Sequence, residues 1–185
     1  ISLVARATNI SRRAILVGLR EIKSGNILPE GRVRRPGGGR KSGVTASMPA
    51  GATLSLSGFR ERSTAFFLAR QNVATSGLNI AEINASAGTF QANLDSLTIG
   101  LKSTGTGFGG GADGTLSFGG VSVVETNTLV LGNMSGASGT AVGDTRAFGT
   151  INMSGGVMSV LGDVSLGLYA DTCGTARGTI NLTGG

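Results

Sequence analysis

Carboxylates are spread through the second part of this chain, among them Glu82, Asp95, Asp113, Glu125, Asp144, Asp163 and Asp171. Two of them on one face could run general acid–base chemistry, and a tight group could hold a hard cation. They fall at different phases of the repeat described below, which scatters them around the molecule instead of converging them. The chain has no histidine, so the commonest general base is missing, along with any Ser-His-Asp or Cys-His arrangement. Cys173 is the single cysteine. It leaves too few ligands for a zinc site and excludes an intramolecular disulfide. No catalytic residue, no metal site and no cofactor are expected.

Short motifs that suggest chemistry fail on spacing. GGGADG, from Gly109, looks like a calcium-binding glycine nonapeptide but lacks the fourth glycine and a tandem partner, so a corner loop is expected there. GGGRKS, from Gly37, has Arg40 where a phosphate-cradling loop needs glycine before lysine. Asn84, Asn133, Asn152 and Asn181 each open an N-x-[ST] pattern. Three of them share one outward strand position, which reads as a stacked amide ladder. Phe59 and Tyr169 are expected to pack at corners.

The elements that carry these residues are set by internal repetition. ATLSLSG at Ala52, AEINASAG at Ala81, GTLSFGG at Gly114, GTINMSGG at Gly149 and GTINLTGG at Gly178 share a small-x-aliphatic-polar-apolar pattern. Their aliphatics Leu54, Ile83, Leu116, Ile151 and Ile180 recur at 29, 33, 35 and 29 residues. A second motif, FFLA at Phe66, LTIG at Leu97, LVLG at Leu129 and VSLG at Val164, recurs at 31, 32 and 35. A third apolar patch lies between them. Side chains alternate with a period of two, as strands require. The expected inward set is Leu54, Ile83, Leu97, Ile99, Leu116, Leu129, Leu131, Ile151, Met153, Val164, Leu166 and Ile180.

Three short strands per unit cannot bury their edges and faces alone, whereas stacked units about 4.8 Å apart can. The fold class expected is therefore mainly β: a parallel β-solenoid of about four and a half three-stranded coils over residues 44–185. Glycine-rich corners separate the strands, and Lys102 to Asp113 and Asn133 to Ala147 absorb the differences in coil length. An antiparallel sandwich or barrel is the competing architecture, but its strands do not repeat one motif at this period. The repeats, such as GTINMSGGVMSVLGDVSLG, resemble secreted bacterial solenoids of the autotransporter-passenger kind. That resemblance implies an extracellular or cell-surface structural or adhesin-like segment, whose partners are an unknown surface ligand or further solenoid repeats. The chain opens at Ile1 and stops inside a motif, so it is read as a fragment and the missing leader carries no weight. No apolar run approaches the roughly 20 residues of a membrane helix.

Residues 1–43 differ sharply. They hold ten of the sixteen Lys and Arg against Glu21 and Glu30, a net of +8, while the other 142 residues carry six bases and eight acids, a net of −2. Ile1–Gly25 has the pattern of helix, turn and helix: Ser11 suits an N-cap, Ile10 and Ile15 a hydrophobic staple, and Gly25 the position past the helix end. GRVRRPGGGRKSG follows as a basic arm on a Pro/Gly frame, expected to be partly disordered. The order of features from VARATNISRR to RRPGGGRK resembles the helix-turn-helix and arm of insertion-sequence transposases of the Rhodopirellula type, whose catalytic domain is replaced here by repeats. The resemblance implies DNA contact by Arg12, Arg13, Arg34, Arg35, Arg40 and Lys41, and nothing of transposition. The alternatives are a solvated tail and an accidental junction of two reading frames.

DNA contact predicts that affinity for duplex DNA falls steeply and linearly with salt on logarithmic axes, and that removing residues 1–43 abolishes it. Equal retention by the full and shortened chains in a filter-binding titration sinks that reading.

Overall fold

A computed structural model describes residues 41–58, 63–72, 77–103, 105–106, 110–135, 137–138, 145–169 and 174–184. The expected helices of Ile1–Gly25 and the residues Arg12, Arg13, Arg34, Arg35 and Arg40 lie outside the described residues, as do Phe59, Asp144, Asp171 and Cys173. In chain order the strands are β1 (Lys41–Ser47), β2 (Thr53–Ser57), β3 (Ala65–Gln71), β4 (Leu78–Ala85), β5 (Thr89–Lys102), β6 (Gly105–Thr106), β7 (Gly110–Phe118), β8 (Val123–Met134), β9 (Ala137–Ser138), β10 (Thr145–Met153), β11 (Val157–Val160), β12 (Val164–Tyr169) and β13 (Thr175–Leu182). β1 crosses the expected boundary between Gly43 and Val44, so Lys41 opens a strand that pairs with Leu78 of β4.

Every pairing is parallel, and non-neighbouring strands meet in the order a coil dictates. Face one stacks β1, β4, β7, β10 and β13. Faces two and three share a second sheet, because β5 and β8 each run along both: β2 and β11 flank their first halves, β3 and β12 their second. Pairing between β5 and β8 skips Asp95 and Asn127, which marks the corner. There the Asn127 amide donates to Asp95 Oδ1 at 3.1 Å. Between faces one and two the chain reverses through short turns such as Gly119–Ser122, closed by Ser122 N donating to Gly119 O at 3.2 Å. The connections from β5 to β7 and from β8 to β10 sit between faces three and one, and β6 and β9 pair within them. The whole is a parallel β-solenoid of about three turns from β4 to β12. The expectation of four and a half coils counted the flanking β1–β3 and β13 as well.

Burial follows the expected alternation. Along β10, Ala147, Gly149 and Ile151 are buried while Arg146, Phe148, Thr150 and Asn152 are not. Leu97, Ile99, Leu116, Leu129, Leu131 and Ile151 form one continuous core with Phe90, Leu94, Phe118 and Val124, while Ile83 and Met153 pack at its margin. The Phe90 and Phe118 rings lie 6.2 Å apart, tilted by 35°. Each fully buried aliphatic contributes about 1.5–3 kcal/mol.

Four expectations need correction. Motif likeness groups Leu54 with Ile83 and Leu116, but Leu54 stands in β2 opposite Phe90, on face two. The place beneath Ile83 belongs to Ala46. Alternation alone records that a strand has an inner face and carries no information on which face of the coil it builds. Val164, Leu166 and Ile180 occupy core columns yet are exposed, because no further layer covers the last rung. Gly110–Gly114 is part of β7 and not a corner, so the stretch absorbing extra length is shorter than expected.

The second motif's fourth position has a distinct physical role. Ala69, Gly100, Gly132 and Gly167 all have positive φ, at 57°, 73°, 68° and 69°. Each is skipped by the ladder on both paired strands at the same level, so the rungs resume one-to-one beyond a shared kink. Facing them is the small residue that opens the first motif, at Gly114, Gly149 and Gly178. A Cβ on Gly149 would collide with the Ile99 carbonyl and the Gly132 backbone, and one on Gly100 with the Phe148 carbonyl. Faces three and one therefore converge to backbone contact. Beyond this pinch lies a second small core, where Met134 packs on Ala147 and Ala176.

Ala69 alone bears a Cβ in a conformation that disfavours one by roughly 1–2 kcal/mol. Ala69→Gly should raise unfolding stability by about 0.5–1 kcal/mol, whereas Gly100→Ala or Gly149→Ala should lower it by about 2–3 kcal/mol or more. Urea denaturation reads both signs, and an unchanged midpoint for Gly149→Ala would refute the convergence.

Candidate interaction surfaces

Face one presents its outward side chains in straight columns, because parallel in-register pairing puts like on like. Thr45, Glu82, Thr115, Thr150 and Thr179 form one column, and Ser47, Asn84, Ser117, Asn152 and Asn181 the next. The rungs are about 4.8 Å apart. In the second column Asn181 Nδ2 donates to Asn152 Oδ1 at 2.8 Å, and Asn152 Nδ2 to Ser117 Oγ at 3.1 Å. Asn84 turns aside, its Oδ1 accepting from the Ser86 amide at 3.1 Å and hydroxyl at 2.7 Å. The amide ladder expected from Asn84, Asn152 and Asn181 thus exists as a column, zipped along its upper half. Asn133 belongs to face three, in line with Leu101 and Leu168.

A third outward column on this face runs Ile80, Asp113, Phe148, Arg177. Arg146 grips Asp113 with two nitrogens, Nε lying 3.1 and 3.0 Å from the two carboxylate oxygens and Nη2 2.7 Å from Oδ2. Its guanidinium also lies 5.3 Å from the Phe148 ring centre. On face two, Ser55, Ser57, Gln91, Asn93, Val123 and Glu125 line a shallow open groove. The Ser55 hydroxyl donates to Gln91 Oε1 there at 3.3 Å.

The described acids do not converge. Glu82 and Asp113 occupy different columns of face one, Glu125 faces out of face two, Asp95 holds the corner, and Asp163 is exposed between β11 and β12. Among the described residues no group of three or more Asp, Glu, His or Cys could hold a metal ion, and no helix is long and apolar enough to cross a membrane. Comparison with family models, curated proteins and solved structures finds no match. The surfaces have to be read from their own chemistry.

One buried polar column escaped the sequence reading. Gln71, Lys102 and Met134 stack in register beyond the glycine pinch. Gln71 and Lys102 are each 1% exposed. Lys102 Nζ donates to the Gly110 carbonyl at 3.0 Å, and Gln71 Nε2 to the Gly77 carbonyl at 2.6 Å. A period of two carried on from Leu97 and Ile99 keeps Lys102 outside. The positive-φ residue at Gly100 shifts the alternation and turns it in. The available signal was the shared second place after the positive-φ residue, occupied by Gln71, Lys102 and Met134.

Lys102→Ala should cost about 2–4 kcal/mol, since it removes a buried stem and leaves a carbonyl without its donor. Lys102→Met, which repeats the residue one rung up, should recover more than half of that loss. Thermal melts of the two variants check this; equal losses would show that the charge, and not the stem, holds the column.

Proposed function

We propose that the repeat region is a non-catalytic structural or adhesin-like segment of a secreted or surface-displayed bacterial protein. The observation that carries this reading is the outward lattice of face one, where threonine hydroxyls and Asn/Ser groups recur rung after rung. A rigid repetitive strip offers a partner many equivalent weak contacts, and simultaneous engagement multiplies their effect without any deep pocket. The two-residue fork of Arg146 on Asp113 stiffens the strip where charge and the Phe148 ring meet, adding local geometry to an otherwise uniform lattice. A second reading, DNA contact through the basic segment, is supported by the concentration of +8 charge in residues 1–43.

Display predicts that antibodies raised against residues 44–185 label intact cells of the source bacterium. Adhesion by face one predicts that the purified chain binds host or matrix surfaces, and that Thr150→Lys with Asn152→Lys lowers this binding at least about tenfold, with only the small drop in melting temperature that loss of the Asn152 ladder bonds brings. Labelling only after permeabilisation would refute display, and unaltered adhesion of the double variant would refute the face.

A further inference from the structure

The last rung differs from those beneath it in one respect. Val164, Leu166 and Ile180 are 51%, 51% and 36% exposed, while the residues below them in the same columns, Leu129, Leu131 and Ile151, are 1%, 0% and 0% exposed. Leu182 follows the pattern at 69%, above Met153. Leu161 and Leu168 add to the same end. The column, residue type and register are unchanged, so the exposure comes from the absence of a layer and not from a change of design. β11, β12 and β13 also end their sheets, leaving one backbone edge of each unpaired among the described residues. An apolar surface edged by strand donors and acceptors is unusual on a soluble protein.

We infer that this end is the seat for a further coil of the same repeat, stacked in register. The occupant is defined by continuity with an interface already built several times over: β7 on β4, β10 on β7 and β13 on β10. β13 supplies only the first face of its coil. The covering strands would complete faces two and three. They must place aliphatics over Val164 and Leu166, and a glycine at positive φ over Gly167. The entry to such strands is already formed. Thr183 repeats the place of Ser154, its amide donating to the Met153 carbonyl at 2.9 Å, as Ser154 N donates to Phe118 O at 3.0 Å. Thr183 therefore stands where Ser154 stands ahead of the turn into β11. This inference rests on the stacking alone and stands or falls independently of surface display.

The test extends the full chain after Gly185 with a copy of its own residues 157–182. A control extension has the same composition, with the inward and outward residues of each added strand exchanged, which reverses the faces. The in-phase coil should slow amide exchange in the original β12 and β13 by at least about tenfold and reduce binding of a hydrophobic dye, while the control does neither. As a second measurement, Leu166→Asp should leave the melting temperature of the unextended chain nearly unchanged and cancel the gain in the extended one. Equal protection by both extensions, or by neither, overturns the proposal. So does an unextended chain that sediments as a dimer with β12 and β13 already protected, because a second copy would then be the occupant.

Discussion

Two columns of glycine pressed backbone to backbone set the cross-section of this rod. Faces three and one could not converge at Gly100, Gly132 and Gly149 if any of these carried a side chain. The close approach divides the interior into two compartments. On one side aliphatics and two phenylalanines fill the main core; on the other, alanines of face one meet Gln71, Lys102 and Met134. The same positive-φ residue that permits the approach resets side-chain direction, so a single strand such as β5 serves both compartments. Ala69 shows that the geometry is imposed by the stack, since it holds the positive φ that glycine holds in every other coil.

The solenoid was legible because its two strongest signals are physical repeats. Aliphatics at about thirty-residue intervals and alternation within each motif follow from coil circumference and strand pleat, and Leu97, Ile99, Leu116, Leu129, Leu131 and Ile151 stand where those signals put them. What the sequence left hidden falls into three physical kinds. Alternation is blind to face, which misplaced Leu54. A column does not announce where the stack stops, which made Val164, Leu166 and Ile180 look interior. A positive-φ kink at Gly100 changes parity along the strand, which concealed Lys102. The Asn column was legible for the same reason as the core, because parallel register converts a recurring sequence position into a line in space.

The polar exterior and the apolar interior are products of one constraint. In-register parallel pairing places identical positions above one another, so a strand that stacks Ile151 on Leu116 inside must stack Asn152 on Ser117 outside. Regularity of the core therefore forces regularity of the surface. Departures are informative for that reason: Glu82 interrupts the threonine column, and Asp113, Phe148 and Arg177 replace uniformity with a local group of charge and aromatic ring on the adjoining column.

The placement of the connections bears on how such a molecule can vary. Between Lys102 and Gly110, and between Met134 and Thr145, the chain spans unequal stretches, yet the strands on either side keep the same register. Differences in coil length are thereby taken up at the vertices: the corner that β5 and β8 turn at Asp95 and Asn127 is spanned by residues 58–64 between β2 and β3 in the coil below. Residues can be gained or lost at such corners without disturbing a rung, so natural drift in this protein should accumulate as changing loops along the edges of an otherwise invariant prism.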